Sequence, residues 1–321
     1  LIWAIMTANG RLTSTGYFTK QNLITESFGR VQVSRLTNGI MTESDLKDLD
    51  AAKNEKRFHS SLKMFSSTMG IRPNEFSVIV GPSGNGKSTL CKTISHECAI
   101  GGRKCYHLLS EEKTSVYKGL IANTFEKRCA GKKTDAFLER LLFESMLDWD
   151  EKELNVNYFF DRLEDVINDK TPDMVIFDNF TTSFLGSLPI NVQGDMITRF
   201  RKMAAQYEIA IIGVFHTAKG SDLYKKLLDG EDVRGNASTT NAGSYNYVIS
   251  TYFRANPPRA IVNVDKARYH PETNKKFFEL LYDSSLGIYV SDQMINYQEV
   301  VQIMDNANKK VPAVKKEIRT W

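Results

Sequence analysis

The run Gly81-Pro82-Ser83-Gly84-Asn85-Gly86-Lys87-Ser88-Thr89 constrains this chain more than any other feature. Its pattern, glycine, four residues, then Gly-Lys-Ser, is the full phosphate-loop signature. Glycines let backbone N–H groups turn inward around an anion, Lys87 reaches the outer phosphates, and the Ser88 hydroxyl ligates magnesium. "EFSVIV" (75–80) before it reads as a buried strand, and "KSTLCKTISHEC" (87–98) after it has helical spacing. The strand–loop–helix order that the motif requires is therefore met, and residues 81–89 are the expected binding site for ATP or another nucleoside triphosphate with Mg2+.

A chain of 321 residues has room for one large domain and a small appendage. No apolar run is long enough to span a bilayer, and "LIWAIM" at the start has neither the basic flank nor the length of a secretory signal. These features predict a cytoplasmic protein with no membrane partner, and the opening on Leu1 reads as a fragment or a processed product of a longer protein. Cys91, Cys98, Cys105 and Cys129 lack C-x-x-C spacing, which predicts reduced structural thiols rather than a metal site. A net charge of +4 is compatible with nucleic acid and does not argue for it.

Three regions are expected. Residues 1–58 mix a Gly- and Thr-rich start with a charged helical stretch opening at "TESD" (42–45), and no chemistry follows from them. From 59 to 300, short apolar runs alternate with helical stretches: "KCYHLL", "DMVIFD", "IAIIGVF", "YNYVIST", "AIVNV" and "FFELL". That rhythm predicts an α/β fold, a mostly parallel central sheet with helices on both faces. The last strands follow one another closely, which predicts an antiparallel edge. Residues 301–321 read as a basic tail.

In open α/β sheets, ligands bind at the carboxyl ends of strands, so residues at those ends are candidates. "DMVIFD" closes on Asp178, where an acid can complete the magnesium shell with Ser88. "CYHLLSEEK" ends in Glu111 and Glu112, either of which can orient or deprotonate an attacking water; paired acids after a strand are also common in solvated turns. "IIGVFH" ends in His216, and the long polar stretch 217–240 follows, carrying Lys219, Lys225, Lys226 and Arg234. A loop of that length inside a compact domain points to function.

The ordered set of phosphate loop, "LLSEE", "VIFD", "FH", "DVRGNAS" and "DKAR" resembles the helicase domain of ring-forming replicative helicases, the RecA-fold group that includes DnaB and the phage primase-helicases. The likeness spans residues 65–290. It implies a RecA-like P-loop NTPase in which Glu111 is the catalytic carboxylate and His216 the sensor of the terminal phosphate. It assigns Lys266 and Arg268 to a neighbouring subunit's site, with Arg268 as an arginine finger, and Arg254 and Tyr282 to the nucleotide base. Lys219, Lys225, Lys226 and Arg234 would line a channel for single-stranded DNA. The implied partners are single-stranded DNA, further copies of the chain in a hexameric ring, and a primase or polymerase; the implied activity is 5′ to 3′ translocation in replication. A filament-forming recombinase-type ATPase and a regulatory ATPase without nucleic acid remain the alternatives.

Overall fold

Strands covered on both faces are apolar along their whole length, without the two-residue alternation of a half-exposed strand. The computed structural model describes residues 58, 60–66, 71–129, 134–218, 226–233 and 238–308. Within it the strands are β1 (Phe76–Gly81), β2 (Cys105–Leu109), β3 (Leu141–Ser145), β4 (Met174–Asp178), β5 (Ala210–His216), β6 (Tyr245–Tyr252), β7 (Arg259–Ala267), β8 (Lys276–Asp283) and β9 (Ile288–Ile295). Strands β1, β2, β4 and β6 are buried at every position. All nine join one sheet in the order β3-β2-β4-β5-β1-β6-β7-β8-β9. Neighbours from β3 to β6 run parallel, and those from β6 to β9 run antiparallel. This is the mixed α/β sheet expected of a RecA-like P-loop fold.

Helices α1 (Lys87–Ile100) and α2 (Thr114–Arg128) cover one face. Helices α3 (Val156–Lys170), α4 (Ile190–Gln206) and α5 (Tyr297–Asn308) cover the other. Each turns an apolar stripe inward; α4 buries Met196, Ile197, Phe200, Met203 and Ala204, the spacing of one helical face. Phe200 stacks on Phe76 of β1 and meets Phe159 of α3 edge-on, so the phosphate-loop strand is gripped from below by aromatic packing. Truncating such a fully buried phenylalanine to alanine costs about 3–5 kcal/mol.

Two strands go beyond the sequence expectation. β3 is a short edge strand with its middle half-exposed, and β9 carries Ser291, Asp292 and Gln293 at its centre, so neither reads as an apolar run. One boundary is corrected. α5 crosses residue 300 and buries Val300, Ile303 and Ala307 against the sheet, so the folded domain reaches Asn308 rather than ending where a tail begins. The helical stretch at "TESD" and residues 309–321 lie outside the described residues.

Candidate active site

The phosphate loop is shaped by contacts that only glycine permits. A Cβ on Gly81 would collide with the Ile249 carbonyl oxygen of β6, and one on Gly86 with the Tyr289 hydroxyl of β9. Gly84 and Gly86 also have φ of +72° and +85°, in the left-handed region. Asn85 fastens the loop to the sheet: its Oδ1 accepts from the Thr251 N–H (2.7 Å), and the Thr251 hydroxyl donates to its carbonyl (3.0 Å). Lys87 arches back and donates from Nζ to the Pro82 carbonyl (2.7 Å). Burial lowers its pKa to about 8, against the opposing pull of Asp178 and Glu111. A desolvated cation beside a glycine-shaped loop at a helix N-terminus is the electrostatic complement of a polyphosphate.

Asp178 ends β4 beside this loop and is 5% exposed. Burial raises its pKa to about 6, while a hydrogen bond from Ser88 and the charge of Lys87 pull the other way. A hydroxyl and a carboxylate held together, the carboxylate ill-solvated without a cation, fit the oxygen ligand set that Mg2+ takes. Behind Asp178 lies His107 of β2, fully buried, with Nε2 4.0 Å from Asp178 Oδ2. Burial, reinforced by Lys92, holds its pKa down to about 3, so the ring is neutral.

The ends of β2, β4 and β5 are tied by a polar network that sequence reasoning missed. The Ser110 N–H donates to the Asp178 carbonyl (2.8 Å), and Ser110 Oγ accepts from the Asn179 N–H (2.9 Å). Asn179 Oδ1 accepts from both the N–H and the hydroxyl of Thr182 (2.9 Å each), which fixes the amide so that its Nδ2 faces His216 Nε2 at 3.2 Å. His216 Nε2 must then accept, and the ring carries its proton on Nδ1. Thr181 accepts the His216 N–H (2.9 Å), and His216 pairs with Gly81 across the β1–β5 ladder. The available signal was "DNFTTS" after the strand, a cluster of side chains that bond readily to nearby backbone.

The same network sets apart the two acids after β2. Ser145 of β3 donates to the Glu112 carbonyl (2.8 Å), and Glu112 Oε2 is buried without a protein partner. Glu111 is exposed, and its charge acts on both Lys87 and Asp178. Arg254 and Tyr282 are both exposed at the antiparallel side of the loop. Arg254 follows Thr251 by three residues, and Tyr282 meets Tyr289 edge-on at 5.8 Å, the tyrosine against Gly86.

The remaining candidates sit elsewhere. Arg268 is exposed at the opposite end of the sheet. Lys266 is drawn inward instead, donating to the carbonyls of Asn241 (2.8 Å) and Thr240 (3.1 Å); desolvation, then Arg268 and Arg201, lower its pKa. Lys226 pairs with Asp232 at 2.6 Å, at the base of the loop where Thr217 and Val233 bridge, so its charge is already matched within the chain. Lys219, Lys225 and Arg234 lie outside the described residues.

A phosphate loop at the head of the central strand β1, an acid at the end of β4 one strand beyond β5 and bonded to the loop's serine, and a carboxylate whose charge acts on the loop's lysine define a P-loop nucleotide-binding site. The sequence agrees with that class. Residues 42–222 match the AAA domain family, and the chain belongs to it; this is a P-loop NTPase family that includes DnaB-like helicase domains. No curated protein matches the chain. Among the described residues no helix is long and apolar enough to cross a membrane.

Proposed function

We propose that this P-loop NTPase is a DNA-translocating motor of the ring-helicase kind, hydrolysing nucleoside triphosphate at sites shared between two copies of the chain. The observation that carries this reading is the place of Arg268, exposed at the end of the sheet remote from its own phosphate loop. An arginine there serves a terminal phosphate only across an interface, and such a finger is worth about 10³–10⁵ in rate.

Within the site, Lys87 and the loop N–H groups bind the outer phosphates. Glu111 orients the attacking water and takes its proton as the oxygen bonds to the terminal phosphorus and the bond to the bridging oxygen breaks. Ser88 and Asp178 would hold Mg2+, which supplies charge neutralisation between the outer phosphates. His216, with its proton on Nδ1 and its Nε2 held by Asn179, reports the terminal phosphate to β4 and β5. Arg254 and Tyr282 offer a cation and a ring face to the base. Translocation on single-stranded DNA is tested by strand displacement on a forked duplex, with electron microscopy of the protein plus nucleotide and DNA. Duplex separation by a closed ring supports the motor; DNA-stimulated turnover on a filament without displacement selects the recombinase type, and turnover indifferent to DNA selects the regulatory one.

A further inference from the structure

Three buried polar atoms near the magnesium ligand Asp178 have no protein partner: His107 Nε2, Tyr117 Oη and Glu112 Oε2. His107 and Tyr117 are both 0% exposed, their rings edge-to-face at 4.8 Å, and Tyr117 feels the charges of Asp178 and Glu112. The tautomer of His107 follows from its other nitrogen. Ser95 Oγ donates to the Cys91 carbonyl (2.9 Å), so the hydroxyl must accept from His107 Nδ1–H (3.1 Å). Nε2 is then a bare lone pair 4.0 Å from a carboxylate oxygen. Two acceptors at that separation cannot bond directly, and the single hydrogen of Tyr117 cannot serve all the acceptors around it.

We propose that His107 and Tyr117 hold one buried water against Asp178 Oδ2, and that both are positioning residues for the magnesium-binding carboxylate. The geometry suits a single water. An oxygen about 2.8 Å from each of two acceptors that lie 4.0 Å apart subtends an angle of about 90°. That is close to the opening of the water molecule's own two O–H bonds. It donates one hydrogen to His107 Nε2 and one to Asp178 Oδ2, and its lone pair accepts the Tyr117 hydroxyl. Asp178 is thereby held by this water and by Ser88, and cannot swing into the rotamer that turns it from the metal position. Sites of this kind are occupied because a buried polar atom left unbonded is costly and a water with three partners is not. The Lys92 ammonium lies over the Tyr117 ring at 5.2 Å. The inference rests on the P-loop reading and is independent of DNA, ring assembly and Arg268.

The test is the magnesium dependence of fluorescent-ATP binding, measured with Glu111→Gln as the parent so that nothing turns over. Tyr117→Phe removes one hydroxyl and keeps the packing; His107→Leu removes the lone pair; His107→Gln keeps an acceptor at Nε2 reach. Tyr117→Phe and His107→Leu are expected to raise the magnesium concentration for half-maximal effect about tenfold, with magnesium-free nucleotide binding unchanged and His107→Gln close to the parent. A crystal structure should show one water within hydrogen-bond distance of His107, Tyr117 and Asp178. Unchanged magnesium dependence in folded Tyr117→Phe, or a dry seam in well-resolved density, overturns the proposal. If His107→Leu fails to fold, Tyr117→Phe and the density still decide. A parent that binds no nucleotide at all contradicts the P-loop reading itself, a separate failure.

Discussion

Arg268 and Lys87 stand at opposite ends of the same sheet. The Arg268 N–H donates to the Ser244 carbonyl (2.9 Å), and the Ser244 N–H donates to the carbonyl of Phe76, the first residue of β1 (2.8 Å). Lys87 lies beyond the last residue of that strand. β1 has six residues, so at about 3.3 Å per step its ends are roughly 17 Å apart. An arginine side chain does not span that distance, so Arg268 does not reach the phosphate loop of its own chain.

The two shifted groups at the site set a pH window for nucleotide binding. Asp178 ionises near 6 and Lys87 loses its proton near 8. Magnesium-nucleotide affinity is expected to be highest between these values, falling below pH 6 as Asp178 protonates and above pH 8 as Lys87 neutralises. Stability runs the other way for Asp178. Its folded pKa lies above the ordinary 3.8, so its stabilising contribution is complete below pH 4 and is lost as pH rises through about 6. Asp178→Asn should therefore melt higher than the parent at pH 7 and not at pH 4, while losing magnesium-dependent binding; calorimetry at the two pH values checks it.

Glu111→Gln keeps shape and removes the base, so nucleotide binding survives while turnover falls by about 10²–10⁴. Glu112→Gln should leave chemistry within a few-fold, since its Oε2 is buried while Glu111 is exposed. Single-turnover rates for the pair decide the register; damage confined to Glu112→Gln would transfer the role.

Much of this was legible in the sequence, for a physical reason. Glycines forced by positive φ or close approach, as at Gly86 and Gly81, leave a pattern that nothing else replaces. Strands with buried apolar centres leave apolar runs, and seven of the nine described strands stand where those runs are. What the sequence hid depends on contacts made far apart. Asn179 is one polar residue among several after β4 until Ser110 and His216 arrive beside it, and His107 reads as a core position until Asp178 is found 4.0 Å away. Lys226 reads as a free cation until Asp232 folds back on it. β9 was lost because its polar centre includes Asp292, which accepts from the N–H of Met64 at 2.7 Å, a partner 228 residues distant.

Asn179 is expected to act through His216. Asn179→Ala and His216→Ala should each slow turnover, and the double variant should be little worse than the more damaged single one, because both remove the same hydrogen bond. Fully additive losses would show that the pair is not coupled.

For DNA binding, Lys219→Ala with Lys225→Ala should lower the steepness of the salt dependence by about one to two phosphate contacts. Lys226→Ala should leave the slope unchanged and loosen the loop base, since its charge is matched by Asp232. Affinity titrations on single-stranded DNA across a salt series separate the two; a slope change confined to Lys226→Ala reverses the assignment.

If the active site is composite, two inactive variants must regain activity when mixed. Arg268→Ala keeps an intact phosphate loop and Lys87→Ala keeps an intact finger, so each is expected to be inactive alone. In a mixed assembly, one interface of each heterologous pair carries both groups. With subunit exchange confirmed, DNA-free hydrolysis should return to a measurable fraction of the parent rate, peaking near equal proportions. No return at any ratio, together with normal hydrolysis by Arg268→Ala alone, would contradict it and leave an ATPase complete within one chain.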